Sequence, residues 1–145
     1  MRFMIIIKSN EQAEQGMPAD PAAVTAMIGA MSKFNEEMAD AGVMLAGEGL
    51  RESAKGKRVK IADGKTTIID GPFTEAKELV AGFWLIQVDS LDEAVEWATR
   101  VPSAPGWETN LEVRQVTEDE DFGEGFTTEL RETEARIRAK SAGNR

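Results

Sequence analysis

Residues 58–88 read RVKIADGKTTIIDGPFTEAKELVAGFWLIQV, and this stretch decides the fold. Arg58 to Ala62 and Lys65 to Ile69 are two short β-prone runs on either side of Asp63-Gly64. That dipeptide favours the type I′ turn, in which both central residues take positive φ, so the segment predicts a two-stranded hairpin. DGPFTEAKE (70–78) follows at once, combining turn formers with an aromatic and four charged side chains. Val80 to Val88 is then strongly apolar and predicts a core strand. A hairpin feeding a core strand through a sharp turn is the organising feature.

Working outward, Phe3-Met4-Ile5-Ile6-Ile7 is too short for a helix and rich in β-branched residues, which predicts a central strand buried on both faces. Asp20-Pro21 supplies an N-cap and a first-turn proline, and Gly42 a stop, predicting a helix from about Pro21 to Ala41. Val24, Met27, Ile28, Met31, Phe34 and Met38 recur at helical spacing and should face a sheet, the methionines as adaptable core filler. Val43 to Ala46 predicts a second strand ending in Gly47-Glu48-Gly49-Leu50. After the core strand, Ser90-Leu91-Asp92-Glu93 has the capping-box pattern and opens a short helix to about Arg100, with Leu91, Ala94, Val95 and Ala98 on one stripe. Leu111 to Val116 alternates as a half-buried strand should.

The order strand, helix, strand, hairpin, strand, helix, strand predicts an α+β fold, the ferredoxin-like βαββαβ arrangement with an inserted β-hairpin. Residues 1–116 form that domain. Residues 117–145 are expected to be an acidic linker, with five acids and no base from Thr117 to Glu124, followed by a polar helix or tail, loosely held or packed on a partner subunit. Helices on one face of the sheet leave the other needing cover. A second copy packed sheet against sheet is the simplest solution, so a homodimer is expected.

The 145 residues include 41% hydrophobic side chains, enough for one ordinary core. A formal net charge of -9 opposes association with nucleic acid or anionic lipid. No run reaches the roughly 20 apolar residues of a membrane helix, and the apolar start is too short for a signal sequence, so a soluble, cytoplasmic protein is expected. Cysteine, histidine and tyrosine are absent. Disulfides, thiolate nucleophiles, imidazole bases and the usual zinc sets go with them, leaving carboxylate, lysine or water for proton transfer.

Arg2 to Lys8 (RFMIIIK), Ala46 to Leu50 (AGEGL), and DGPFTEAKE continuing through LVAGFWLI to Leu91-Asp92-Glu93-Ala94 together resemble the YCII-related family, in the branch distinguished by its DGPF motif. The likeness spans about residues 1 to 116. It implies a dimeric α+β barrel, in which two ferredoxin-like subunits bring their sheets together. It implies no particular activity. The wider superfamily is related in fold to muconolactone isomerase-like enzymes, and some members carry a His and Asp pair proposed as catalytic, which this histidine-free chain cannot receive. Relatives in the branch are sometimes encoded with or fused to sigma factors, so the resemblance adds a sigma factor to the candidate partners.

The candidate ligand-binding residues are Glu48, Asp70, Phe73, Glu75, Lys77 and Glu78. Within DGPF the architectural reading is that Asp70 bonds backbone amides, Gly71 allows positive φ, Pro72 fixes the exit and Phe73 plugs the core. The functional reading is that the turn holds the Asp70 carboxylate rigidly at a strand end, beside a helical turn on which Glu75 and Glu78 share a face and Lys77 does not. Glycines on both sides of Glu48 would let a ligand approach its carboxylate. Glu48 and Asp70, if at one end of the sheet, would share a polar pocket with Lys77 and with the rings of Phe73, Phe83 or Trp84. No metal or other cofactor is expected, since the carboxylates lack EF-hand spacing. Arg51, Lys55, Lys57 and Arg58 form a basic cluster read as a solvated loop. Three readings fit these residues: a non-catalytic homodimer that binds a small molecule or protein partner, an isomerase or lyase using carboxylate acid-base chemistry without histidine, and a purely structural role in which DGPFTEAKE serves folding and the dimer interface.

Overall fold

The computed structural model describes residues 1–144. Contacts divide the chain into two compact units, Met1–Gln115 and the segment from Val116 onward. The first contains β1 (Arg2–Lys8), α1 (Glu11–Glu14), α2 (Pro21–Asp40), β2 (Met44–Gly49), β3 (Lys57–Ala62), β4 (Lys65–Asp70), β5 (Val80–Gln87), α3 (Leu91–Thr99) and β6 (Leu111–Gln115). Strands β2, β5, β1 and β6 form a four-stranded antiparallel sheet in that order, and β3 and β4 form a separate two-stranded sheet. The expected α+β class is therefore observed. No helix among the described residues is long and apolar enough to cross a membrane.

Local signals explain the element boundaries. Asp20 Oδ1 accepts from the Ala22 amide at 3.1 Å with Pro21 in the first turn, and Gly42 leaves α2 at φ 73. Ser90 Oγ accepts from the Glu93 amide at 3.1 Å and starts α3. Asp63 and Gly64 take φ 50 and 73, the left-handed pair that the hairpin turn requires. A one-turn helix, α1, was not foreseen; Asn10 Oδ1 caps it through the Ala13 amide at 2.8 Å.

Alternation along the strands sorts the sheet into two faces. Phe3 and Ile5 of β1 and Trp84 and Ile86 of β5 are buried against Phe34 and Met38 of α2 and Ala94 and Ala98 of α3. Phe34 meets the Trp84 ring edge-on at 5.2 Å, and the indole Nε1 donates to Asn35 Oδ1 at 2.7 Å, which satisfies a polar atom that burial would otherwise strand. Each fully buried large side chain here contributes about 1.5–3 kcal/mol.

Two expectations are corrected. Strand β1 is central, but only its Phe3 and Ile5 face is fully buried; Met4 and Ile6, on the other face, are half-buried. Within α2 only Phe34 and Met38 are buried, with Met31 packed against them, while Val24 is half-buried and Met27 and Ile28 are exposed. Leu91 and Val95 of α3 are also exposed, leaving the small Ala94 and Ala98 to make the close contact.

In the second unit, a 3-10 segment (Asp119–Gly125) leads to α4 (Thr128–Ala142), which Thr127 caps through the Leu130 amide at 3.3 Å. Arg131 lies 4.7 Å over the Phe126 ring, and Arg138 pairs with Asp119 at 3.2 Å.

Candidate functional site

The DGPF segment is a corner planted on the turn that precedes the hairpin. Residues Ser53–Lys55 form a single 3-10 turn, closed by the Gly56 amide donating to the Ser53 carbonyl at 2.9 Å. The Gly71 amide then donates to the Gly56 carbonyl at 3.1 Å, and the Phe73 amide to Ser53 Oγ at 3.0 Å. Ser53 itself is buried, and both its amide and its hydroxyl donate to the Glu14 carboxylate, the amide at 3.2 Å and 3.3 Å. Glu14, Ser53, Gly56, Gly71 and Phe73 are thus one hydrogen-bonded knot joining three distant parts of the sequence.

Gly71 is required here for space and not, as expected, for positive φ. A β-carbon on it would stand 2.6 Å from the Ser53 carbonyl carbon, closer still to the Ser53 oxygen, and 3.2 Å from the Gly56 oxygen. Pro72 follows through a cis peptide bond. Phe73 does not plug the core: it is half-buried, and the Arg58 guanidinium covers its ring at 4.1 Å.

The remaining candidates are spread around this corner. Asp70 is the last residue of β4, and its exposed carboxylate pairs with Lys57 across the base of the hairpin. Glu75 precedes a 3-10 turn, Ala76–Glu78, that carries Lys77 and Glu78; all three charged side chains are exposed. Glu48 lies inside β2, which runs further than the expected Ala46, and pairs in register with Phe83 of β5. Among the described residues no hydrogen bond or ion pair joins Glu48 to Asp70 or to Lys77. The glycines flanking Glu48 have different roles from the expected one. A β-carbon on Gly47 would meet the Trp84 indole at 2.6 Å and Met44 at 2.9 Å, so that space belongs to the core, whereas the space at Gly49 is open.

The pattern of the YCII-related domain matches residues 1–119 of the chain. The chain belongs to the YCII-related family. An uncharacterised protein of Rhizobium meliloti (strain 1021) is 43% identical over 53 residues, a match covering 37% of this chain and 43% of that protein. The chain therefore matches less than half the length of that relative. Within this YCII-related domain no group of three or more His, Cys, Asp or Glu side chains among the described residues is placed to hold a metal ion.

Sequence reading missed Ser53 and Glu14, the two residues that hold the corner. Neither sits in a motif, and their contact spans 39 positions. It also passed over Glu52, half-buried beside Gly16 and bonded to Arg51 at 3.4 Å. A backbone hydrogen bond, then the Arg51 guanidinium, hold the Glu52 carboxyl below its usual range. Such a group accepts hydrogen bonds from donors or cations and is displaced the wrong way for a general acid.

Proposed function

We propose that this YCII-related chain works as a non-catalytic homodimer that binds a small polar molecule in a pocket bounded by Glu48 and the DGPF corner. The observation that carries the reading is the register of the sheet face opposite α2 and α3. One cross-strand row on that face runs Glu48, Phe83, Ile6, Glu112, and the next runs Ala46, Leu85, Met4, Arg114. Ile6, Phe83, Met4 and Leu85 are half-buried apolar side chains outside the helix-packed core, flanked by charge at the sheet edges. An apolar centre with a charged rim is the composition of a protein interface. The strand order β2, β5, β1, β6 supports reading the sheet as the split βαβ arrangement whose two copies pair face to face.

In such a dimer Glu48 lies at the rim, where β2 ends and β5 begins after the turn bearing Lys77. The Gly49 space next to it admits a ligand, and Phe83 supplies an apolar floor. Binding fits better than acid catalysis, because the chain offers neither histidine nor cysteine and the candidate carboxylates are exposed on the protomer.

A thermal-shift panel of metabolites and divalent ions, run on wild type beside Glu48→Gln, Asp70→Asn and Lys77→Met, tests the reading. A ligand at a hundredfold excess over its Kd stabilises the native state by about 2.7 kcal/mol. Stabilisation present in wild type and reduced in folded Glu48→Gln supports the site. Turnover of the stabilising compound, lost in Glu48→Gln, would replace binding with the isomerase or lyase reading.

A further inference from the structure

On the helix side of the sheet, α2 and the end of α3 border an open cavity of about 210 Å³. Ala30, Lys33, Phe34, Glu37, Arg100 and Pro102 line it. The first four stand at i, i+3, i+4 and i+7 of α2 and so share one stripe of that helix. Phe34 is the buried floor, and its ring approaches that of Trp97 in α3 at 6.5 Å. The opposite wall is fixed by the close of α3. There the Arg100 amide donates to the Trp97 carbonyl at 3.1 Å and the Val101 amide to the Ala98 carbonyl at 3.2 Å, which sets Arg100 and Pro102 in place.

Three charged side chains rim the cavity: Lys33, Glu37 and Arg100, all exposed. Among the described residues, none of the three makes a side-chain hydrogen bond or ion pair. The two cations stay unpaired although acidic residues outnumber basic ones by 26 to 17 in the chain. Lys33 and Glu37 lie one helical turn apart in the less favourable order, lysine before glutamate. The Arg100 guanidinium lies over the Trp97 ring at 4.0 Å. That contact engages the ring's π-system and holds Arg100 at the cavity, leaving its N–H fork open to a carboxylate.

We propose that this cavity binds a small free amino acid with an apolar side chain. Arg100 and Lys33 take its carboxylate, Glu37 takes its ammonium, and Phe34 and Pro102 receive the side chain. The charges on the rim decide the class. A monocarboxylate without an amine leaves Glu37 unanswered and repelled, an amine alone leaves both cations so, and a zwitterion answers all three. Volume decides the size. At about 30 Å³ of liquid per water the cavity holds roughly seven waters, the bulk of a ligand of about seven to ten heavy atoms. The site lies on the opposite face of the sheet from Glu48 and Phe83 and is independent of the reading given for them.

The test titrates the purified full chain, followed by amide-resolved NMR, with L-leucine, with isocaproate, which is leucine without its amine, and with isoamylamine, which is leucine without its carboxylate. The same titrations on Arg100→Gln, Lys33→Gln and Glu37→Gln change exposed positions only, and circular dichroism confirms that each is folded. Leucine should shift the amides of Ala30, Phe34 and Arg100 and the Trp97 indole. It should bind about tenfold or more tightly than either analogue and lose about tenfold or more in Arg100→Gln, with a smaller loss in Lys33→Gln. Glu37→Gln should weaken leucine while tightening isocaproate, whose carboxylate it no longer repels. No shift at millimolar leucine overturns the proposal, as does an unchanged affinity in Arg100→Gln or an analogue bound as tightly as leucine. Shifts centred on Glu48 and Phe83, lost in Glu48→Gln, refute this site while supporting the other.

Discussion

Gly71 lies so close to Ser53 that a β-carbon on it would stand 2.6 Å from the Ser53 carbonyl carbon. Neither side can give way cheaply, because the Ser53 turn is closed by Gly56, which also accepts the Gly71 amide. Gly71→Ala should destabilise the protein by about 1–3 kcal/mol or more, as overpacking against backbone does. Urea unfolding measures it, and a midpoint equal to wild type would show that the corner yields freely.

Ser53 and Glu14 should behave as one unit. Ser53→Ala removes the hydroxyl that donates to Glu14 and accepts from the Phe73 amide, costing about 1–3 kcal/mol. In a double-mutant cycle with Glu14→Ala, the two losses should be non-additive by about 0.5–3 kcal/mol. Strict additivity would mean that the contact carries no coupling.

Asp70 contrasts with its neighbour Gly71. Its carboxylate is 75% exposed and its Lys57 partner 64%, so the ion pair is solvent-screened. Asp70→Asn should change stability by less than about 1 kcal/mol, and the small difference should shrink in high salt. That makes Asp70→Asn a folded probe of ligand binding.

Glu52 gives a pH signature. Its carboxyl is held below the ordinary value of 4.5 in the folded protein, chiefly by a backbone hydrogen bond and then by Arg51. The resulting stabilisation is fully present above the unfolded value and is lost as pH falls through the folded one. Wild type should therefore be more stable than Glu52→Gln near neutrality, and the two should converge below about pH 4.5 in thermal melts. A gap that widens on acidification would contradict the assigned sign.

Asn35 is the fifth structural probe. Asn35→Leu leaves the Trp84 indole N–H buried without its acceptor and should cost about 1–3 kcal/mol, read by denaturant unfolding. An unchanged midpoint would show that the indole finds a replacement partner.

Local chemistry made much of this fold legible. Asp63-Gly64 specified the hairpin turn, Asp20-Pro21 and Ser90 specified two helix starts, and the apolar run through Trp84 specified a core strand. Each of those signals acts within a few residues. What stayed hidden depends on distant partners: Ser53 meets Glu14 across 39 positions, and the crowding at Gly71 comes from Ser53 and Gly56. Helical periodicity also overstated the buried face of α2, since spacing says which side chains align and not which of them meet another element. Of the candidate residues, Asp70, Phe73, Glu75, Lys77 and Glu78 follow one another along the DGPF corner, whereas Glu48 belongs to strand β2 and Phe73 is half-buried under Arg58 instead of in the core.

The central claim is that two copies pair through the sheet face bearing Met4, Ile6, Phe83 and Leu85. Sedimentation equilibrium of wild type and Phe83→Glu tests it most directly, with circular dichroism confirming that the variant is folded. The account predicts wild type at twice the chain mass of 15.8 kDa and folded Phe83→Glu at the single mass over the same micromolar range. Wild type at the single mass throughout, or a Phe83→Glu dimer as tight as wild type, would contradict it.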